Sequence, residues 1–299
     1  MRVVENSPDI FDRALVALRR ERAASTVAKV APVLDAAAVC LLDRLDDTTH
    51  RFSRALDLGG RGAVAPMLRR RGIPFVVSMD LSPAMARRAG GPAGDDKCLA
   101  VAGDEEWLPF APGSFDLIVA SLSLHWVNDL PGALIQIRRA LAPDGMFLGS
   151  LPGLGTLQGL REALNTAEAE TRGGVSPRIS PFPELRDLAG LLQRAGFAIP
   201  VADQERLPMI YRSPLALVSD LRAAGESNAV RARDSRIPPR EFFPLAFSRL
   251  DLEMELRLLV MTGWAPHESQ QKPARRGSAN ASLAEALGSV EIKAGEKPG

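Results

Sequence analysis

Five short apolar runs separated by helical stretches constrain what this chain can fold into. Ala55-Leu56-Asp57-Leu58 ends in Gly59-Gly60-Arg61-Gly62, and Phe75-Val76-Val77-Ser78-Met79 ends at Asp80. Leu99-Ala100-Val101 ends near Asp104, Phe115 to Ala120 is the strongest run, and Met146-Phe147-Leu148-Gly149 is the fifth. Helical spacing fills the gaps: Ala65, Leu68 and Arg69 after the first run, then Leu130, Leu134, Ile137 and Leu141 before the last, with a turn at Pro143-Asp144-Gly145. Ser82 is a helix N-cap with Pro83 at the favoured first position. Strands of this length alternating with helices predict a doubly wound α/β sheet, mainly parallel, with right-handed crossovers. Ligands of such a sheet collect beyond the carboxyl ends of its strands.

The flanks read differently. Phe11, Ala14, Leu15 and Leu18, then Val27, Val30, Leu34, Ala37, Leu41 and Leu45, predict two amphipathic helices ahead of the sheet, as packing or as a lid. After the fifth run, helices are expected over 156–170, over 184–195 with Gly196 as its C-cap, and over 213–224 capped by Ser213. Ala198 to Val201 reads as a strand. Met254, Leu256, Leu258 and Val260 alternate with Glu253, Glu255 and Arg257, the period of a late antiparallel strand. The expected organisation is N-terminal helices over 1–46, a ligand-binding core over 47–152, a C-terminal part over 153–264 holding a recognition insertion at 205–250, and a partly disordered tail over 265–299. The loop Pro208 to Arg212 and the arginines of 231–240 are either contacts for a protein substrate or a solvated basic surface.

Composition removes several function classes. A net charge of +1 on 299 residues gives no electrostatic case for nucleic acid. No apolar run reaches the roughly 18 residues that span a bilayer. The two cysteines, Cys40 and Cys98, and the three histidines, His50, His125 and His267, fall in no metal or disulfide spacing, so no metal site is expected. Acids at Glu5 and Asp9 argue against a signal peptide, and a cytoplasmic location is expected.

The chemistry concentrates at the strand ends. Glycines at 59, 60 and 62 let backbone approach a ligand, because glycine lacks Cβ and tolerates positive φ. Asp80, 23 residues after Asp57, ends the next strand, where a carboxylate can accept both hydroxyls of a ribose. Asp104 can accept an adenine amino group. Each feature alone is weak; three on successive strand ends are specific.

Residues 55–62 resemble the first motif of class I S-adenosylmethionine-dependent methyltransferases. Gly103 to Phe110 resembles their adenine-side segment, Phe115-Asp116-Leu117-Ile118 their fourth strand, and Leu141 to Met146 their turn into the fifth. The resemblance implies a Rossmann-like seven-stranded methyltransferase sheet with S-adenosylmethionine as cofactor. Asp57, Gly59, Gly60 and Gly62 would then face its methionine part, Asp80 with Leu81 the ribose, Asp104 with Glu105 the adenine, and Ser121 would close the fourth strand end. The motif usually carries glycine where Arg61 stands, so Arg61 either narrows the methionine pocket or turns outward.

Ser123-Leu124-His125-Trp126 with Leu130 to Leu134 is similar to the biotin-pathway enzyme that methylates malonyl-acyl-carrier protein and to the methyltransferase-like assembly factors of complex I. Phe182 to Leu188, Asp220 to Asn228 and Thr262 to Pro266 are similar to the second group. That likeness implies a respiratory complex I subunit or other protein substrate, and either methylation or arginine hydroxylation; a non-catalytic assembly role is the other class. His125 is the best-placed titratable side chain, as a base or as packing beside Trp126.

Overall fold

The computed structural model describes residues 9–89, 98–270 and 287–288. Seven strands form one sheet: Arg54–Leu58 (β1), Phe75–Asp80 (β2), Cys98–Ala102 (β3), Phe115–Ser121 (β4), Leu141–Pro152 (β5), Ala198–Ile210 (β6) and Glu253–Trp264 (β7). Their order is β3-β2-β1-β4-β5-β7-β6. β1 to β5 pair in parallel, and β7 lies antiparallel to both β5 and β6. The expected sheet and its late antiparallel strand are both present. β7 buries the even positions Met254, Leu256, Leu258 and Val260, as the alternation predicts.

Nine helices are among the described residues: Arg13–Ala23 (α1), Ala31–Leu42 (α2), Val64–Arg70 (α3), Pro83–Ala89 (α4), Leu130–Ala140 (α5), Gln158–Arg172 (α6), Leu185–Arg194 (α7), Pro214–Ala223 (α8) and Phe242–Ser248 (α9). The caps read from the sequence are formed. Ser82 Oγ accepts from Met85 N–H and Ser213 Oγ from Ala216 N–H. Gly196 takes φ 84° beyond α7. The core forms two layers, one on each face of the sheet. Leu56, Ile118, Phe147 and Leu134 pack on one side, with Leu41, Leu117, Leu148 and Leu68 on the other. A third cluster, around Leu160, Leu217 and Phe242, joins α6, α8 and α9.

Three expectations need correction. Pro143-Asp144-Gly145 does not separate α5 from a later strand. β5 already begins at Leu141, and the turn is a bulge inside it, where the register jumps from Phe115↔Leu141 to Leu117↔Met146 and Asp144 adopts φ 62°. The strand at 198–201 runs on to Ile210, so residues 205–210 belong to the sheet's edge strand, paired with β7 from Glu205↔Leu258 to Ile210↔Glu253, and not to an insertion. Pro208 is tolerated there because β6 is the outermost strand and no neighbour needs its missing N–H. The arginines of 231–240 are not all solvated. Arg231 contacts Asp9 and the Phe11 carbonyl, and Arg233 contacts Asp12 and the Val230 carbonyl.

The chain is one compact unit up to Pro266, and His267–Gly299 form a second. Within the second, His267 Nδ1 lies 2.7 Å from Ser269 Oγ. Most of the expected disordered tail lies outside the described residues. Among those described, no single helix is long and apolar enough to cross a membrane. α1 with the bent stretch Val27–Leu45 passes that test only as a pair, broken by 88°.

Candidate functional site

β1, β2, β3 and β4 deliver their carboxyl ends to one edge of the sheet, and the acids expected there are all present. Asp57 is fully buried. Its Oδ2 accepts from the Ala65 amide in the first turn of α3 (3.1 Å) and from Ser78 Oγ (3.3 Å). Burial pushes its carboxyl up to about 7. The glycine loop follows with Gly59 at φ 70° and Gly62 at φ 91°. A Cβ on Gly60 would fall 1.9 Å from Asp57 Oδ1 and one on Gly59 2.5 Å from Ser123 Cβ, so both glycines are required by close packing. Gly62 opens onto free space and lines a cavity of about 370 Å³ beside Val27, Asp35 and Arg88.

Asp80 is buried at the end of β2. Its Oδ1 accepts from Ser82 N–H at 2.8 Å, while Oδ2 is buried without a hydrogen-bond partner. Ser123 Oγ, beyond β4, is a second buried polar atom in the same state. An unpartnered carboxylate oxygen at the β2 end is an acceptor of the kind that ribose hydroxyls require, so these residues fit the nucleoside of S-adenosylmethionine. Leu81 packs in a small cluster with Phe11 and Trp126, and Ser121 is buried at the end of β4 in register with Ser150.

Helix α1 contributes what the sequence did not announce. Arg20, 1% exposed, donates to Glu105 Oε1 (2.5 Å) and the Ser123 carbonyl (3.2 Å), and lies 3.6 Å from Asp80 Oδ2. Arg13 donates to both Asp104 and Glu105. Burial raises the Glu105 carboxyl, but the guanidiniums of Arg20 and Arg13 outweigh it and hold it at about 2. Burial raises Asp80, the Glu105 charge adds to it, and Arg20 pulls partly the other way. Glu21 accepts from Ser82 Oγ (2.5 Å) and the Ala84 amide, tying α1 to α4. The signal for Arg20 was a charge in helical phase with Val16 and Ala23 on a buried face, which demands a partner.

Arg61 turns away from the glycine loop. Its backbone is left-handed, at φ 53°, and its guanidinium donates to the Leu122 carbonyl and, at 2.5 Å, to Glu226 Oε1. Glu226 also meets His125 Nε2 and Trp126 Nε1, each at 2.7 Å. Beside this group lies a cavity of about 360 Å³, walled by Leu160, Leu164, Phe182, Phe243 and Leu256 and carrying Arg61, His125, Tyr211 and Glu226 at its polar points. His125, the expected titratable side chain, therefore stands between the strand ends and an apolar chamber. Glu226 was not anticipated; it follows Gly225, which caps α8 at φ 79° and aims the next side chain inward.

This strand order, with a glycine loop after β1 and acids closing β2 and β3, defines a class I S-adenosylmethionine-dependent methyltransferase fold. The family described as "Methyltransferase domain" matches residues 56–149. The YcgJ protein from Bacillus subtilis has the same fold, with a TM-score of 0.52 and 17% identity over 76% of this chain and 98% of its own. The mitochondrial arginine-hydroxylase NDUFAF5 of Danio rerio is 36% identical, covering 93% of this chain and 89% of its own length. Its Homo sapiens counterpart is 40% identical over 84% and 74%. The malonyl-[acyl-carrier protein] O-methyltransferase of Laribacter hongkongensis is 33% identical over 77% and 79%. The chain belongs to the NDUFAF5 arginine-hydroxylase family within the S-adenosylmethionine-dependent methyltransferase superfamily.

Proposed function

We propose that this protein binds S-adenosylmethionine at the ends of β1 to β4 and, with an oxygen-donating oxidant of the dioxygen class as co-reactant, hydroxylates an arginine side chain of a protein substrate, a subunit of respiratory complex I. The observation that carries the reading is the 360 Å³ chamber beside Arg61, His125 and Glu226. Its apolar walls suit the aliphatic stem of an arginine, and Asp220 among its lining residues suits the head. The proteins named arginine-hydroxylase support the same substrate class. The cofactor contacts are Asp80 for the ribose, Asp104 and Glu105 for the adenine, and Asp57 with Gly59, Gly60 and Gly62 for the methionine part, with Leu81 and Ser121 lining it.

Methyl transfer is the second reading, favoured by the retained strand-end acids and by the likeness to an O-methyltransferase. Two measurements test the proposal. Titration calorimetry of the full chain with S-adenosylmethionine should give saturable one-site binding. Peptide mass spectrometry of complex I subunits, from the host with and without this gene, should show an arginine peptide about 16 Da heavier only when the gene is present. A shift of about 14 Da selects methylation, and no shift on any subunit sinks both.

A further inference from the structure

The group at the inner end of the chamber has a use beyond binding substrate. Burial raises the Glu226 carboxyl, but His125 and Arg61 outweigh that and hold it far below the ordinary carboxylate range. With the Arg61 guanidinium on Oε1 and the Trp126 indole N–H on Oε2, it is an anion that only accepts hydrogen bonds whether or not the His125 ring is charged. Its Oε2 lies 2.7 Å from His125 Nε2. That nitrogen must carry hydrogen to bond it, and in the neutral ring the lone pair then sits on Nδ1. Nδ1 is buried and has no hydrogen-bond partner, and His125 lines the chamber.

We infer that Glu226 and Arg61 are positioning residues that hold His125 in its Nε2–H form, leaving Nδ1 as the proton acceptor for a substrate in the chamber. The inference rests on the chamber being the acceptor site of the function proposed above. In the step, the proton leaves an N–H or O–H group of the bound substrate and its bonding pair stays on that nitrogen or oxygen. The Nδ1 lone pair makes the new N–H bond, and the resulting imidazolium keeps Nε2–H on Glu226. This accounts for Arg61. A glycine there, as the first motif usually carries, would leave Glu226 Oε1 without its cation and the α8 loop without its tie to the Leu122 carbonyl. Trp126 Nε1–H on the same Oε2 fixes the carboxylate from the other side.

The test exploits the small number of histidines, three in the whole chain. In full-length protein with ¹⁵N-labelled histidine, the His125 signals are assigned by their loss in His125→Asn. The neutral wild-type ring should be the Nε2–H tautomer. In Glu226→Gln, Arg61 keeps the amide oxygen and turns the NH₂ toward Nε2, so the ring should switch to Nδ1–H. In a gene-deleted host, this variant should restore about 100-fold less of the modified peptide than wild type, while its S-adenosylmethionine affinity stays within about threefold. Arg61→Lys keeps the cation and should keep the Nε2–H form, which gives a readout should the Gln variant fold poorly. An Nδ1–H ring in wild type overturns the inference. So does a Glu226→Gln protein that switches tautomer yet modifies its substrate at the wild-type rate. If wild type produces no mass shift, the proposed function fails, and the tautomers alone decide the positioning role.

Discussion

Two arginine–carboxylate clusters close the same edge of the sheet, and they differ in what they leave unpaired. Under α1, the two arginines Arg13 and Arg20 face Asp80, Asp104 and Glu105, and an oxygen of Asp80 remains without a hydrogen bond. Beyond α8, Arg61 and His125 share Glu226, and a ring nitrogen of His125 remains. An excess of acids leaves acceptors suited to hydroxyls. A single acid under two cationic or titratable groups is saturated, and what remains is a base. On the function proposed above, one kind of ion pairing serves a binding end and a reacting end, anchored on the adjacent Ser123 and Leu122 carbonyls just beyond β4. The lesson concerns burial as much as charge, because both clusters are taken out of water and each group depends on its partner.

The first cluster is the place to break this comparison hardest. Arg20→Met removes the main cation from Glu105, which is 0% exposed. Removing one partner of a buried pair costs about 3–5 kcal/mol, so the urea midpoint should drop steeply; a loss under about 1 kcal/mol would place the pair with solvent-screened ones. Asp57 gives a pH-dependent companion. Its folded value of about 7 exceeds its unfolded value, so it takes up a proton on folding. Its contribution is fully present at low pH and is lost as pH rises toward and through 7. Between pH 5 and 7 the wild type should lose on the order of 2 kcal/mol that Asp57→Asn does not lose. Glu105, held at about 2, does not titrate in the folded protein across that window. Parallel stability curves for the two proteins would remove Asp57 as the source.

Binding gives the next effect down. Asp80→Ala should weaken S-adenosylmethionine by at least about tenfold, since a charged hydrogen bond contributes about 1.5–3 kcal/mol. Unchanged calorimetric affinity in a folded variant would mean that the free oxygen of Asp80 serves the fold alone.

How much of this was legible depended on sequence distance. The strand-end acids could be read because Asp57, Asp80 and Asp104 each follow an apolar run, a local pattern. β6 was cut short because Asp203, Gln204, Glu205 and Arg206 interrupt its alternation and Pro200 and Pro208 break it, features that only an outermost strand tolerates. The second cluster had no local signature. Glu226 finds Arg61 across 165 positions and His125 across 101, and nothing periodic links them. Arg20 was missed, since the apolar positions Phe11, Ala14, Leu15 and Leu18 put it on the far side of the helix, whereas Ala14 and Leu18 are exposed and Val16, Arg20 and Ala23 are the buried face; nor could any local pattern name Glu105, 85 positions away.

A third arginine cluster sharpens the contrast from the solvent side. Arg44 donates to Asp203 Oδ2 at 3.0 Å and Glu205 Oε1 at 3.2 Å, joining the end of the α2 segment to β6. The partners are 57% and 44% exposed, against 0% for Glu105. Two acids on one guanidinium is also the setting of Arg20, which faces Asp80 and Glu105, so the two arginines differ chiefly in burial. Water already solvates Asp203 and Glu205, and Arg44→Ala leaves neither stranded. The expected loss is at most about 1 kcal/mol. Part of it comes from the Arg44 bond to the Cys40 carbonyl, which salt does not screen. Raising salt to about 1 M shortens the screening length to about 3 Å, so most of the remaining difference from wild type should vanish there, whereas the Arg20→Met deficit should persist. An Arg44→Ala deficit as large as that of Arg20→Met, and equally insensitive to salt, would show that pairing stoichiometry rather than burial sets the strength of these clusters.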